Sequence, residues 1–150
     1  MKKSEGFTIV EIITILAISL VVVILIFLMF FFAGREARDV KRTSDISVLR
    51  SVMASTKIQF GSYAESGCQS GPVYACQNSR LEKLLPTIYN FRDPKSKVLC
   101  SDDCTQPCEY SFSQISDDDF EVLFYLETGI GNYSKKGCYR LNASGVELIQ

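Results

Sequence analysis

The most prominent pattern in the sequence is an uncharged apolar stretch near the N-terminus. From Ile12 to Ala33, 22 residues include no charged residue, no proline and no glycine. As a helix rising about 1.5 Å per residue, this stretch is roughly 33 Å long, enough to cross a hydrocarbon core of about 30 Å. A cleaved secretory signal usually has a shorter apolar region of about 7–15 residues and a small-residue cleavage site. The pattern therefore favours one transmembrane helix at about 12–33.

The following segment, residues 35–60, contains no proline or glycine and becomes amphipathic. Its apolar residues recur at the three-and-four spacing of one helical face. They are Ile46, Leu49, Met53 and Phe60, with Val48 and Val52 beside them. The pattern predicts a single helix over 7–60 whose second half lies outside the membrane. Gly34, between the two halves, marks either a bend or a glycine tolerated within a long helix.

Beyond residue 60 the sequence changes to the short patterns of strands and turns. Residues 120–127 alternate side chains between two faces, which predicts a strand. The segment 108–114 is predicted as its partner, and 137–150 as a hairpin with its turn at 142–145. The capping-box pattern at 79–82 predicts one short helix.

Together these elements predict an α+β fold, in which the amphipathic half of a long N-terminal helix packs on a small antiparallel sheet. The predicted organisation is a leader at 1–6, the helix at 7–60 and a globular head at 61–150. The head would be stapled by disulfide bonds.

Six cysteines lie beyond the apolar stretch, and their even number suits disulfides in an oxidising compartment. They are Cys68, Cys76, Cys100, Cys104, Cys108 and Cys138. The first two enclose a short loop and are favoured as a pair, whereas Cys138 is expected to join one of the other three. A metal site on the three cysteines at four-residue spacing is the weaker alternative, because Pro107 lies among them and the chain has no histidine.

The start of the apolar stretch contains the string G-F-T-I-V-E at residues 6–11, after a leader with two lysines. This arrangement resembles the N-terminus of type IV pilins and pseudopilins, over about residues 2–33. The resemblance implies that a prepilin peptidase cuts after Gly6 and methylates the new amine of Phe7. It also implies that Glu11, the fifth residue of the mature chain, acts in filament assembly. Major pilins often have a proline within the apolar segment, which this chain lacks.

The position of Glu11 also has a physical rationale. An ionised carboxylate costs on the order of 2.5–3.5 kcal/mol at the centre of a membrane helix, and less near the interface. Cleavage would create a cationic amine at Phe7, one helical turn before Glu11. In a bundle of such helices, the amine of one copy and the carboxylate of another can pair in a medium of low dielectric, which would set the axial register. The alternative is that Glu11 lies at headgroup level without such a role.

The charges flanking the apolar stretch give a conflicting indication of orientation. Two lysines precede it, but four bases follow between residues 35 and 42, and this count alone would place the C-terminal domain in the cytoplasm. The cysteines favour the opposite orientation. We therefore expect a single-pass protein of the bacterial inner (cytoplasmic) membrane whose C-terminal domain lies outside, before it enters an extracellular or periplasmic filament.

Other signals are weaker. The acidic run 117–119 resembles a calcium loop, but a solvated turn is favoured. Two glycosylation sequons, at 132–134 and 142–144, suggest only exposed loops. The formal net charge of −1 does not indicate a nucleic-acid partner. No catalytic arrangement stands out, so the sequence predicts neither an enzyme nor a bound metal or cofactor.

The sequence thus predicts a structural subunit of a type IV pilus-like filament, with the membrane, a prepilin peptidase, an assembly platform and copies of itself or related pilins as partners. A pseudopilin of a type II secretion or competence system is an alternative within the same family. A single-pass, membrane-anchored extracytoplasmic binding module is the alternative from another class.

Overall fold

The computed structural model describes residues 8–149, which fall into two compact units, one ending at Gly34 and the other beginning at Arg35. Helix α1, Ile9–Phe60, contributes to both. In the first unit, every residue from 8 to 33 is exposed. This part of α1 is long and apolar enough to cross a membrane, by length and composition.

The second unit combines the rest of α1 with an antiparallel sheet. The strands follow one another in space as they do in the chain. They are β1 Gly71–Pro72, β2 Ser111–Ile115, β3 Phe120–Leu126, β4 Gly137–Leu141 and β5 Val146–Leu148. The meander explains why local sequence patterns predicted the later strands well, because each strand from β2 to β4 pairs with the next strand in the chain.

One short helix, α2, Arg80–Leu84, lies between β1 and β2 in the chain. Ser79 is its N-cap, and the Ser79 side chain accepts a hydrogen bond from the Glu82 N–H at 3.1 Å. The predicted cap by Ser79 is confirmed, but the Glu82 side chain accepts the N–H of Asn78 and not that of Ser79, so the box is closed one residue earlier.

The main core lies between one face of α1 and one face of the sheet. Ile46, Leu49 and Met53 are buried in one cluster with alternate residues of β3. Those residues are Phe120, Val122, Phe124 and Leu126. The predicted packing of the amphipathic helix on the sheet is confirmed in these residues.

The predicted helical face is wrong at two positions, Val48 and Phe60, which are 39% and 40% exposed. Since each helical residue adds a rotation of about 100°, Val48 lies well away from the face that contains Ile46. Phe60 is the last residue of α1, and its ring lies 5.3 Å from the Arg80 guanidinium carbon.

The opposite face of β3 is buried as well. Leu123 and Tyr125 are 1% and 5% exposed, and they belong to a second cluster formed with four cysteines. Those cysteines form the disulfides Cys100–Cys108 and Cys104–Cys138. The sheet is therefore covered on one side by α1 and on the other by a disulfide-linked loop.

The third disulfide joins Cys68 to Cys76, the pair that the sequence favoured. The Sγ atoms of Cys100, Cys104 and Cys108 lie within 4.8 Å of one another. Each of these atoms belongs to a disulfide, so this close approach brings two disulfides together and does not provide thiolate ligands.

Candidate functional site: the N-terminal carboxylate and the faces of helix α1

The first described turn of α1 is a capping box formed by Thr8 and Glu11. The Thr8 N–H donates to Glu11 Oε2 at 3.1 Å, and the Glu11 N–H donates to Thr8 Oγ1 at 3.3 Å. The pair satisfies two backbone donors that have no partner within the helix. The negative charge also lies at the helix end where the macrodipole favours it.

The remaining polar side chains of the apolar stretch bond within the helix. Thr14 Oγ1 donates to the Glu11 carbonyl at 2.9 Å, and Ser19 Oγ donates to the Leu16 carbonyl at 2.9 Å. Their hydroxyl groups therefore need no further hydrogen-bond acceptor in an apolar medium. Glu11 is left as the one acid or base between Thr8 and Gly34.

The described residues include only part of the predicted processing site. Gly6 and Phe7, the proposed cleavage and methylation residues, lie outside the described residues. Glu11 is described, and Thr8 is a partner that the sequence reasoning missed. The T-x-x-E spacing of residues 8–11 was the signal that could have revealed it.

A second constellation lies in the unit that begins at Arg35 and is centred on Arg42, which is fully buried. Arg42 Nε donates to Asp93 Oδ2 at 2.6 Å, and Nη1 donates to Asp39 Oδ1 at 2.8 Å. Nη1 also lies 2.9 Å from Glu127 Oε1. Burial alone would lower the pKa of Arg42, but these carboxylates raise it above its ordinary value.

Asp39 connects this ion cluster to the backbone that follows β3. Its carboxylate accepts hydrogen bonds from the N–H groups of Glu127, Thr128 and Gly129, at 3.0, 2.7 and 3.2 Å. Burial alone would raise the pKa of Asp39, but the backbone and side-chain hydrogen bonds hold it below its ordinary value. The cluster therefore fixes one end of the sheet on α1.

Glu127 receives the remaining bases of the cluster. Arg38 binds it through two hydrogen bonds of 2.7 and 2.9 Å, and Lys95 Nζ lies 2.9 Å from Oε2. The hydrogen bond from Arg38 is the largest cause of a Glu127 pKa far below its ordinary value. Arg38 and Arg42, two of the bases that conflicted with the expected orientation, thus hold the folded domain together.

The acidic run at 117–119 lies in a turn that is held by hydrogen bonds. Asp119 Oδ1 accepts from the N–H groups of Phe120 and Ala143 at 2.8 and 2.9 Å. Lys57 Nζ donates to Asp118 Oδ1 at 2.8 Å and to the Asp117 carbonyl at 2.9 Å. These contacts support the interpretation as a turn, because the Asp118 side chain binds the Lys57 ammonium and the Asp119 side chain binds backbone N–H groups.

The face of α1 that is turned away from the sheet is uncharged and exposed between residues 44 and 58, and four of its six exposed side chains are small. Its exposed members are Ser44, Ser47, Val48, Ser51, Ala54 and Ile58. Short side chains allow two helices to approach closely. We call these six residues the small face of α1.

No protein-family model, curated protein or solved structure matches this chain.

Proposed function

We propose that the chain is a structural subunit of a type IV pilin-class filament, cleaved after Gly6 and assembled through α1. The observation that carries the proposal is the lone carboxylate of Glu11 at the start of an apolar helix that is exposed on every side. Such a helix is not stable in water as a single rod, so it needs a bilayer or other copies of itself. In the proposed pathway, the helix lies first in the bilayer and then packs against the helices of other copies in the filament core.

The small face of α1 supports assembly over simple anchoring. A helix that only tethers a domain needs no uncharged strip beyond the membrane, and charged residues would suit that position. Here an uncharged strip lies between residues 44 and 58, on the side of α1 opposite Leu49 and Met53. The strip fits close packing of α1 from one copy on α1 from the next, in a heterologous, non-closing arrangement.

The three disulfides and the membrane-capable helix support the proposed location. Disulfides persist in oxidising compartments, so the unit beginning at Arg35 suits the outer side of the inner membrane. From there the subunit would pass into the filament, driven by an assembly platform, while its leader remains on the cytoplasmic side.

Intact-mass measurement tests the proposal directly. We expect protein from cells with an active prepilin peptidase to begin at a methylated Phe7, and protein from cells without it to retain residues 1–6. A chain that keeps its leader in both strains while it performs its cellular role would instead be a membrane-anchored binding module.

A further inference from the structure

A polar groove in the unit beginning at Arg35 has no role in the proposed filament. It is bordered by α1, by the loop between β3 and β4 and by the turn between β4 and β5, and its volume is about 520 Å³. It is lined by Arg50, Asn132, Tyr133, Ser134, Lys135, Tyr139, Ser144, Gly145, Val146 and Leu148. We propose that this cationic groove binds an acidic sugar residue of a glycan.

The groove is lined by positive charge, whereas the chain as a whole has a negative formal net charge. The formal net charge of the protein is −1, yet the groove is lined by two cations, Arg50 and Lys135, and by no carboxylate of residues 8–149. Among the described residues, neither cation forms an ion pair, although most of the other arginines do. Two cations that converge on one concavity without a counter-ion favour an anionic ligand.

The other lining groups favour a sugar over a bare anion. Asn132, Ser134 and Ser144 supply an amide and two hydroxyls, which can hydrogen-bond the hydroxyls of a sugar ring. The partly buried Tyr133 supplies an aromatic surface, held edge-on to Tyr139 with ring centroids 5.7 Å apart. The volume admits one or two sugar rings and lies in the ordinary range for ligand sites.

The walls of the groove are fixed by the fold. Two backbone hydrogen bonds of 2.7 and 2.9 Å join Ile130 to Tyr133, and Gly129, at φ +80°, lies so close that a Cβ there would be 2.5 Å from the Tyr133 carbonyl. The Tyr139 hydroxyl donates to the Lys135 carbonyl at 2.7 Å. A groove formed in advance loses little conformational entropy when it binds.

The part of the groove formed by the turn between β4 and β5 is held by the side chain of Asn142. Its Oδ1 accepts from the N–H groups of Ser144 and Gly145 at 3.0 and 2.9 Å. The groove lining therefore includes all of the first sequon, 132–134, and Ser144 of the second.

A nucleic acid is the less suitable partner. Binding to a phosphate backbone relies on many cations along a stripe, and the loss of each contact reduces the dependence on salt. This groove offers two cations on a protein of net negative charge.

The test uses the full mature chain in a polyoxyethylene detergent, which contains neither charge nor sugar. The probe is a fluorescent tetrasaccharide of alternating glucuronic acid and N-acetylglucosamine, and binding is measured by anisotropy. We expect the neutral tetramer of N-acetylglucosamine to bind at least about tenfold more weakly. Arg50→Gln and Lys135→Gln should each weaken binding of the acidic probe about fivefold, since each removes one solvent-exposed ionic contact.

Lys136→Gln is the matched control, because Lys136 is an exposed neighbour that does not line the groove. It removes the same charge and should change affinity less than about twofold. Four outcomes would overturn the proposal. These are no binding of the acidic probe, equal binding of the neutral one, equal losses for Lys135→Gln and Lys136→Gln, or displacement of the probe by a short DNA duplex at lower concentration.

Discussion

The Glu11 carboxylate has one partner within the described chain and a second in the proposed filament. In the single chain it accepts the Thr8 N–H at 3.1 Å and so completes the capping box. In the filament it would pair with the Phe7 amine of another copy. Both roles use the same oxygens, but only the second requires a charge, because glutamine serves in a capping box as well as glutamate does.

This difference allows the two roles of Glu11 to be separated. Glu11→Gln keeps the cap and removes the charge, so we expect normal membrane insertion but at least about tenfold less incorporation into filaments. Thr8→Ala keeps the charge and removes the cap, at a cost of about 1 kcal/mol to the helix start, and should still assemble. The measurement is the ratio of filament to membrane subunit in cells that contain only the variant. The reverse pattern, with Glu11→Gln assembling and Thr8→Ala failing, would assign the role to the cap.

Two acids in the second unit, Glu127 and the buried Glu109, respond to pH in opposite directions. Hydrogen bonds, from Arg38 above all, hold the pKa of Glu127 far below its ordinary value. Burial raises the pKa of Glu109, although its side chain accepts the N–H groups of Asp93 and Tyr110. Unfolding therefore takes up a proton at Glu127 in acid, whereas folding takes one up at Glu109.

The consequence is an opposite effect of two matched substitutions on the acid stability of the head. The contribution of Glu127 is complete above its unfolded pKa, near 4.3, and is lost as the pH falls below that value. Glu127→Gln should thus lower Tm at pH 7 and make the fall in Tm between pH 5 and about pH 3 shallower. Glu109→Gln should make the same fall steeper. The measurement is Tm by near-ultraviolet circular dichroism across this pH range. If both variants changed the slope of Tm against pH in the same direction, the assignment would be contradicted.

At the scale of elements, the sequence pattern was sufficient where a side chain's environment follows from its local period. The three-and-four spacing placed Ile46, Leu49 and Met53 in the core, and the alternation along β3 placed Phe124 there. The turn at 142–145 followed from its Asn and Gly residues. These features depend on neighbours in the chain, which a sequence displays directly.

The pattern was not sufficient where contacts join distant parts of the chain. The second face of β3, with Leu123 and Tyr125, is buried because a loop linked by two disulfides covers it, and no local period reveals that cover. The Arg42 cluster likewise draws Asp93 and Glu127 from 51 and 85 residues away. A pair of opposite charges at positions 39 and 42 was visible, but it resembled an ordinary solvated helix face.

The disulfides allow a prediction about the loop that covers β3. Cys104–Cys138 closes a separation of 34 residues, and Cys68–Cys76 closes 8. In the chain-entropy model, loss of the longer link costs about 4 kcal/mol and loss of the shorter one about 2.5 kcal/mol. Replacing both cysteines of each pair by serine, and measuring the free energy of unfolding, should give this order. A larger loss from the shorter link would mean that packing around Cys68, and not chain entropy, dominates.

At the scale of the whole molecule, the exposed surfaces of α1 need surroundings in which they are stable. Between residues 8 and 33 every side chain is exposed, and the small face is exposed between residues 44 and 58. A bilayer suits the first part, but it does not explain the second. Packing of copies explains both, and it predicts that the small face tolerates no charge once the filament forms.

Ser51→Lys tests this last consequence. Ser51 is exposed at the centre of the small face, and its hydroxyl bonds only to the Val48 carbonyl of its own helix, at 2.8 Å. Lysine is a good helix former, so the Tm of the head and membrane insertion should not change. Between packed helices the same ammonium would be buried without a partner, and filament incorporation should fall more than about tenfold. Gln77→Lys adds the same charge at an exposed loop position and should assemble normally. If both variants assemble alike, the small face is not a packing surface, and α1 serves only as an anchor.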